Sequence, residues 1–186
     1  MSKITGIVLF VSSLFSVAVP SGPTPRKAPD LAVYDRSGKV VTLSNFSGKV
    51  VAIEFLFVRS PHCGYVAQTL NKLHRELGPR GFEALGVAFT APGSTADAAT
   101  VDTFVQSYQL DIPVGYANKE NVDNFLNRGS ADILAIPQVV VIDREGVIRA
   151  QSGKHPGNPT LEEEASLHAL LDELLKERPA SGASGK

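Results

Sequence analysis

The segment KVVAIEFLFV, residues 49–58, is an almost unbroken apolar run rich in β-branched residues. A strand of that composition is covered on both faces, so the chain must build layers on either side of a central sheet. The run leads directly into SPHC, residues 60–63, and Val66, Leu70, Leu73 and Leu77 then recur at helical spacing until Gly78-Pro79. A buried strand thus hands over to a helix, with the chain's only cysteine, Cys63, in the first helical turn. In α/β sheets, reactive groups collect beyond the carboxyl ends of strands, and Cys63 stands at such a place.

The remaining pattern fits the same architecture. LAVYDRSGKVVTL, residues 31–43, reads as two short strands around a turn at Asp35-Arg36-Ser37-Gly38, an N-terminal β-hairpin. FEALGVAF is a second buried strand, and Val101, Phe104, Val105 and Tyr108 form the apolar stripe of a second helix. IPVGYA suggests another strand, and Val122, Phe125 and Leu126 a short helix before Gly129. QVVVIDREGVIRA reads as strand, turn at Arg144-Glu145-Gly146 and strand. Thr160 and Glu163 have capping-box spacing ahead of a last helix that presents Leu167, Leu170, Leu171 and Leu174 to the core. Strands alternating with helices, closed by a hairpin and a helix, predict an α/β sandwich with a mixed central β-sheet flanked by helices.

A chain of 186 residues most simply holds one such domain. Its net charge of −1, without a block of five like charges, excludes an electrostatic nucleic-acid footprint. At the start, Lys3 precedes ITGIVLFVSSLFSVAV, the order of a secretory signal with a charged start and an apolar run. Residues 1–19 are therefore expected to be a signal peptide cleaved after Ala18, residues 20–28 a Pro-rich linker, 29–178 the folded domain and 179–186 a disordered tail. The apolar run falls short of the ~20 residues that span a bilayer, and membrane contact arises only if it stays uncleaved as an anchor. Export, periplasmic or beyond the cell, would place Cys63 where disulfides persist, although one cysteine makes no internal one.

APDLAVYDRSGKVVTLSNFSGKVVAIEF, residues 28–55, resembles the opening hairpin and first core strand of the exported TlpA/ResA-like redoxins. These belong to the thioredoxin superfamily and share a broad pattern with the AhpC/TSA-type peroxidases. AIPQVVVIDREGVI, residues 135–148, resembles that superfamily's cis-proline segment. The resemblance implies a thioredoxin-like fold. It also implies a cis bond between Ile136 and Pro137, with both residues facing the thiol site and binding the extended backbone of a partner. SPHC is similar to the C-P-H-C site of the disulfide oxidase DsbA with its first cysteine replaced by Ser60, and Glu54, six residues earlier, matches a buried acid in those proteins. Cys63 then holds the shielded position of the pair.

That replacement limits the chemistry. Disulfide exchange passes through a mixed disulfide that a second thiol must release, so a lone cysteine does not complete the cycle by itself. The first reading, and the preferred one, makes Cys63 a monothiol nucleophile exchanging with protein or small-molecule thiols and disulfides. In it Pro137 positions the partner, Glu54 moves the thiol proton and His62 stabilises a nearby anion. A second reading is a one-cysteine hydroperoxide reductase resembling peroxiredoxins. Ser60 and Cys63 match the T/S-x-x-C spacing, and the helix start favours a thiolate that peroxide oxidises to sulfenic acid. This chain has Leu56 where peroxiredoxins carry a proline, and lacks their arginine near Pro137. The third is a non-enzymatic redoxin acting as a binding module, with Cys63 a small buried hydrophobe. No cofactor is expected, and no metal, because the adjacent His62 and Cys63 have no second ligand pair at recognisable spacing. His74, His155 and His168 read as surface residues.

Overall fold

The computed structural model describes residues 24–129, 135–152 and 160–177. The expected signal segment and tail lie outside the described residues, as does His155. Among the described residues no helix is long and apolar enough to cross a membrane.

The strands are β1 (Arg26–Lys27), β2 (Ala32–Tyr34), β3 (Val40–Thr42), β4 (Val50–Leu56), β5 (Phe82–Phe89), β6 (Val114–Ala117), β7 (Gln138–Ile142) and β8 (Val147–Gln151). They form one mixed sheet in the order β1-β8-β7-β4-β5-β6-β2-β3. β4, β5 and β6 run parallel, while β7 lies antiparallel to β4. The helices are α1 (Pro61–Leu77), α2 (Ala98–Tyr108), α3 (Lys119–Leu126) and α4 (Glu164–Lys176). All seven residues of β4 are buried, as its composition requires of a central strand.

The pleat of β4 sorts its side chains into two cores. Val50, Ala52 and Leu56 face a cluster built with α1, α2 and α4 that contains Cys63. Val51, Ile53 and Phe55 face the other, built with α3. Glu54 shares the alternation of Ala52 and Leu56, and so lies on the cysteine's side.

Three local expectations change. Arg26 and Lys27, in the stretch read as linker, pair with Ile148 and Val147 and extend the sheet by an edge strand. The capping box at Thr160 and Glu163 does not form. Glu163 is the N-cap residue of α4 without a side-chain bond, and its N–H donates to the Thr160 carbonyl at 2.9 Å. Leu161 is fully buried, which fixes a turn there and delays the helix. His74, read as a surface residue, is half-buried against the Phe82 ring with Nε2 3.2 Å from Glu83.

Candidate active site

The sulfur-bearing turn is set by local chemistry. Ser60 has extended backbone and serves as N-cap of α1, and Pro61 at the first helical position has no N–H to leave unpaired. The Cys63 N–H donates to Ser60 Oγ at 3.4 Å, and the Phe57 N–H donates to Cys63 Sγ at 3.5 Å. The sulfur is nevertheless sealed, since Cys63 has 0% exposure. Burial pushes its thiol up to about 11, outweighing the Ser60 hydroxyl and the Phe57 amide, which pull the other way; the charge of Glu54 adds to the rise. The thiolate expected from the helix start is therefore not favoured in this state, because desolvation exceeds the gain from two long hydrogen bonds.

Glu54 is fully buried, and neither of its carboxylate oxygens has a hydrogen-bond partner among the described residues. Its in-register neighbours, Gly86 on β5 and Val139 on β7, offer no polar side chain. Burial, reinforced by the charge of Glu162, raises its carboxyl well above the usual carboxylate range. It therefore holds its proton more tightly than an exposed carboxyl does and can exchange it with a group formed nearby. Ionised, Glu54 opposes a thiolate on Cys63, which lies on the same side of the sheet.

The Ile136-Pro137 peptide bond is cis. Pro137 is buried, and it directly precedes Gln138, whose register partner is Phe55 near the carboxyl end of β4. The half-buried Ile136 packs against both cores, including the one that contains Cys63. The structure thus gathers Glu54, Ser60, Cys63 and the Ile136-Pro137 segment at one end of the central strands. His62 is placed differently. It is exposed, and its Nε2 lies 3.5 Å from Glu162 Oε2 instead of meeting the thiol. Sequence reasoning missed Glu162, which no motif marks and which only the turn before α4 brings to the site. It also missed Tyr108 as a neighbour of the sulfur-bearing turn. A methyl group on Gly64 would stand 1.9 Å from Tyr108 Cζ, so this ring lies directly over the helix start. Among the described residues there is no cluster of three or more potential metal ligands.

A cis-proline segment packed beside a strand-to-helix turn that carries a cysteine, on this mixed sheet, defines a redoxin of the thioredoxin superfamily. The AhpC/TSA family pattern matches residues 25–151, and the chain belongs to that family. It is 31% identical over 114 residues to protein FixW of Rhizobium leguminosarum, covering 57% of this chain and 50% of that protein. It is 24% identical over 123 residues to the thiol-disulfide oxidoreductase ResA of Bacillus thuringiensis subsp. konkukian, covering 66% of this chain and 65% of that one. The chain therefore spans between half and two thirds of the length of these relatives. Among solved structures, a thioredoxin-family thiol:disulfide interchange protein from Chlorobium tepidum TLS superposes with a TM-score of 0.65 at 20% identity, covering 83% of this chain and 99% of that one. A thiol:disulfide interchange protein from a Bacteroides species gives 0.66 at 20% identity, covering 87% and 95%. At such identities the likeness is one of fold.

Proposed function

We propose that the protein is an exported redoxin in which Cys63 acts as a monothiol, forming and releasing mixed disulfides with thiol partners. The observation that carries this reading is Glu54, a buried carboxyl with no hydrogen-bond partner among the described residues, on the same face of the sheet as the only cysteine. An unpaired buried acid costs stability, and a fold kept only for binding gains nothing from it there. Perturbed acids of this kind cluster at sites of chemistry. Export is supported by Lys3 and the apolar run that follows it.

In the reaction, the Cys63 thiolate attacks a partner disulfide, forms a new S–S bond and expels the second partner sulfur as a thiolate. A later external thiolate attacks the partner's sulfur in the mixed disulfide, and Cys63 leaves with the bonding electron pair. Glu54 in its ionised form takes the Cys63 proton as the thiolate forms, and returns it when Cys63 leaves the mixed disulfide. The cis Ile136-Pro137 segment positions the partner backbone, with the half-buried Ile136 the more accessible of the two residues. Disulfide exchange is favoured over peroxide reduction because the forces lowering the thiol come from a hydroxyl and an amide, not from a cation that would hold a thiolate ready for peroxide.

The sealed sulfur favours a second reading, a redoxin-fold binding module in which Cys63 only fills space. Alkylation of the native and the unfolded chain, with mass analysis of adducts formed with a small aromatic disulfide, separates the two. The monothiol labels in the native state at a rate that climbs with pH and yields a Cys63 mixed disulfide. Labelling that awaits denaturation assigns the module.

A further inference from the structure

Cys63 and Glu54 are both sealed, so a partner reaches the sulfur only when something that covers it moves. The covers differ in how they are held. Leu56 on β4 and Val139 on β7 belong to strands whose backbones pair in register with their neighbours. The turn at residues 160–163 has no such tie. Leu161 is fully buried in the cluster that contains Cys63. Among the described residues, however, the backbone bonds of this turn run only within it and into α4, from the Glu163 N–H to the Thr160 carbonyl at 2.9 Å and from the Leu167 N–H to the Glu163 carbonyl at 3.0 Å. Its contact with α1 is Glu162 Oε2 at 3.5 Å from Nε2 of His62, both side chains being more than a third exposed, and such a contact adds little. α4 itself is fixed independently. Lys72, Glu76 and Arg80 on α1 meet Glu164, His168 and Asp172 on α4 at 2.6, 2.9 and 2.6 Å, in the same order and one helical turn apart, so the two helices run parallel with matched side chains. On its inner side Leu167, Leu171 and Leu174 are buried. A sparsely bonded turn beside a firmly docked helix is where local opening costs least.

We propose, resting on the monothiol reading, that Leu161 is the stopper of the thiol site: the turn at residues 160–163 lifts while α4 stays docked, and the space that the leucine leaves admits the partner to Cys63. The side chain suits this role. It carries no polar atom, so withdrawing it leaves no buried donor or acceptor of its own unpaired. What the opening forfeits is the burial of one aliphatic group, far less than the surface exposed when the whole domain unfolds. When the turn closes, Leu161 covers the thiol again and shields the only cysteine from oxidation between encounters.

The test is the rate of Cys63 alkylation by iodoacetamide at about pH 8.5, near the value of a free thiol, followed against urea below the unfolding transition in the full-length wild type, Leu161→Ala and Leu171→Ala. Leu171 is as deeply buried in the same cluster but lies within the docked helix, so its truncation controls for lost stability. Local opening exposes little surface, and the wild-type rate should therefore be flat in urea until the global transition begins. Leu161→Ala should raise that flat rate about tenfold or more, because truncating a buried leucine weakens the closed state by more than one decade. Leu171→Ala should bring the global transition to lower urea and leave the flat rate within about twofold of the wild type. The proposal fails if wild-type labelling follows global unfolding from the lowest urea, if Leu171→Ala accelerates the flat rate as much as Leu161→Ala, or if Cys63 stays inert in native Leu161→Ala. Mixed-disulfide formation with a small aromatic disulfide, measured on the same proteins, separates this failure from that of the monothiol reading. Alkylation in the expected pattern without a mixed disulfide keeps the stopper and removes the monothiol, whereas a mixed disulfide formed equally fast in the wild type and Leu161→Ala keeps the monothiol and removes the stopper.

Discussion

Glu54 has the least comfortable environment among the acids of the core, and its protonation should be visible in stability. Its folded proton affinity lies above that of the unfolded chain. The associated stability is fully present below the unfolded value, about 4.3, and is lost as pH rises through the folded value. The steepest loss is about 1.4 kcal/mol per pH unit. Urea unfolding at about pH 4 and about pH 8 should show this decline in the wild type and a much smaller one in Glu54→Gln, which keeps the shape without the charge. Equal declines would mean that Glu54 is not held neutral. Cys63 adds a second window by the same sign, since stability tied to its thiol persists below about 8.5 and is lost as pH rises through about 11. Cys63→Ala should flatten that alkaline limb. In the sequence Cys63 stands out as the sole cysteine at a helix start, and Glu54 through its resemblance to the buried acid of thioredoxins. The absence of a partner for Glu54 was not legible there, because Gly86, Val139 and Glu162 reach it only through sheet register and a distant turn.

At the level of the element, the first turn of α1 combines a cap, a proline and a close contact. Ser60→Ala removes the acceptor of the Cys63 N–H and should cost about 0.5 kcal/mol, at the low end for a cap because the bond is 3.4 Å long. Gly64→Ala should cost more, about 1–3 kcal/mol, since the new methyl group displaces the Tyr108 ring, which is held at 5.0 Å from Phe104. Chemical denaturation of both variants checks the order, and a Gly64→Ala chain as stable as the wild type would show that the ring yields freely. Displacing Tyr108 should also raise the native alkylation rate of Cys63, whereas Ser60→Ala should leave the ring over the turn. The strand-to-helix junction could be read directly, because an apolar run followed by helical spacing has one interpretation. The start of α4 could not. Thr160 and Glu163 satisfy a local rule, but burial of Leu161 in the core decides where the helix begins.

Across the whole molecule, the parallel centre and the N-terminal hairpin follow from strand composition, whereas the sheet's outer edge escaped notice. Arg26 and Lys27 have no apolar alternation, and a Pro-rich neighbourhood reads as linker. What makes them a strand is the tertiary partner: they pair with β8, and the Ala28 N–H donates to the Gly146 carbonyl at 2.9 Å. The Arg26 guanidinium also donates to the Phe125 carbonyl at 3.1 Å and to Gln151 Oε1 at 2.8 Å, tying this edge to the last turn of α3. Hydrogen bonds to a charged group contribute about 1.5–3 kcal/mol, so Arg26→Ala should lower stability on that order, a fall of several degrees in melting temperature for a domain of this size. A change within about 0.5 kcal/mol, the range of an ordinary surface substitution, would return Arg26 and Lys27 to the role of linker. The pH profile of Cys63 alkylation serves as the internal control. Arg26 sits at the β1 edge of the sheet, with β8 and β7 between it and β4, so the variant should lose stability without moving that profile. A profile that moved with it would mean that the edge strand and the sulfur-bearing turn open together, and that access to Cys63 is a property of the sheet as a unit.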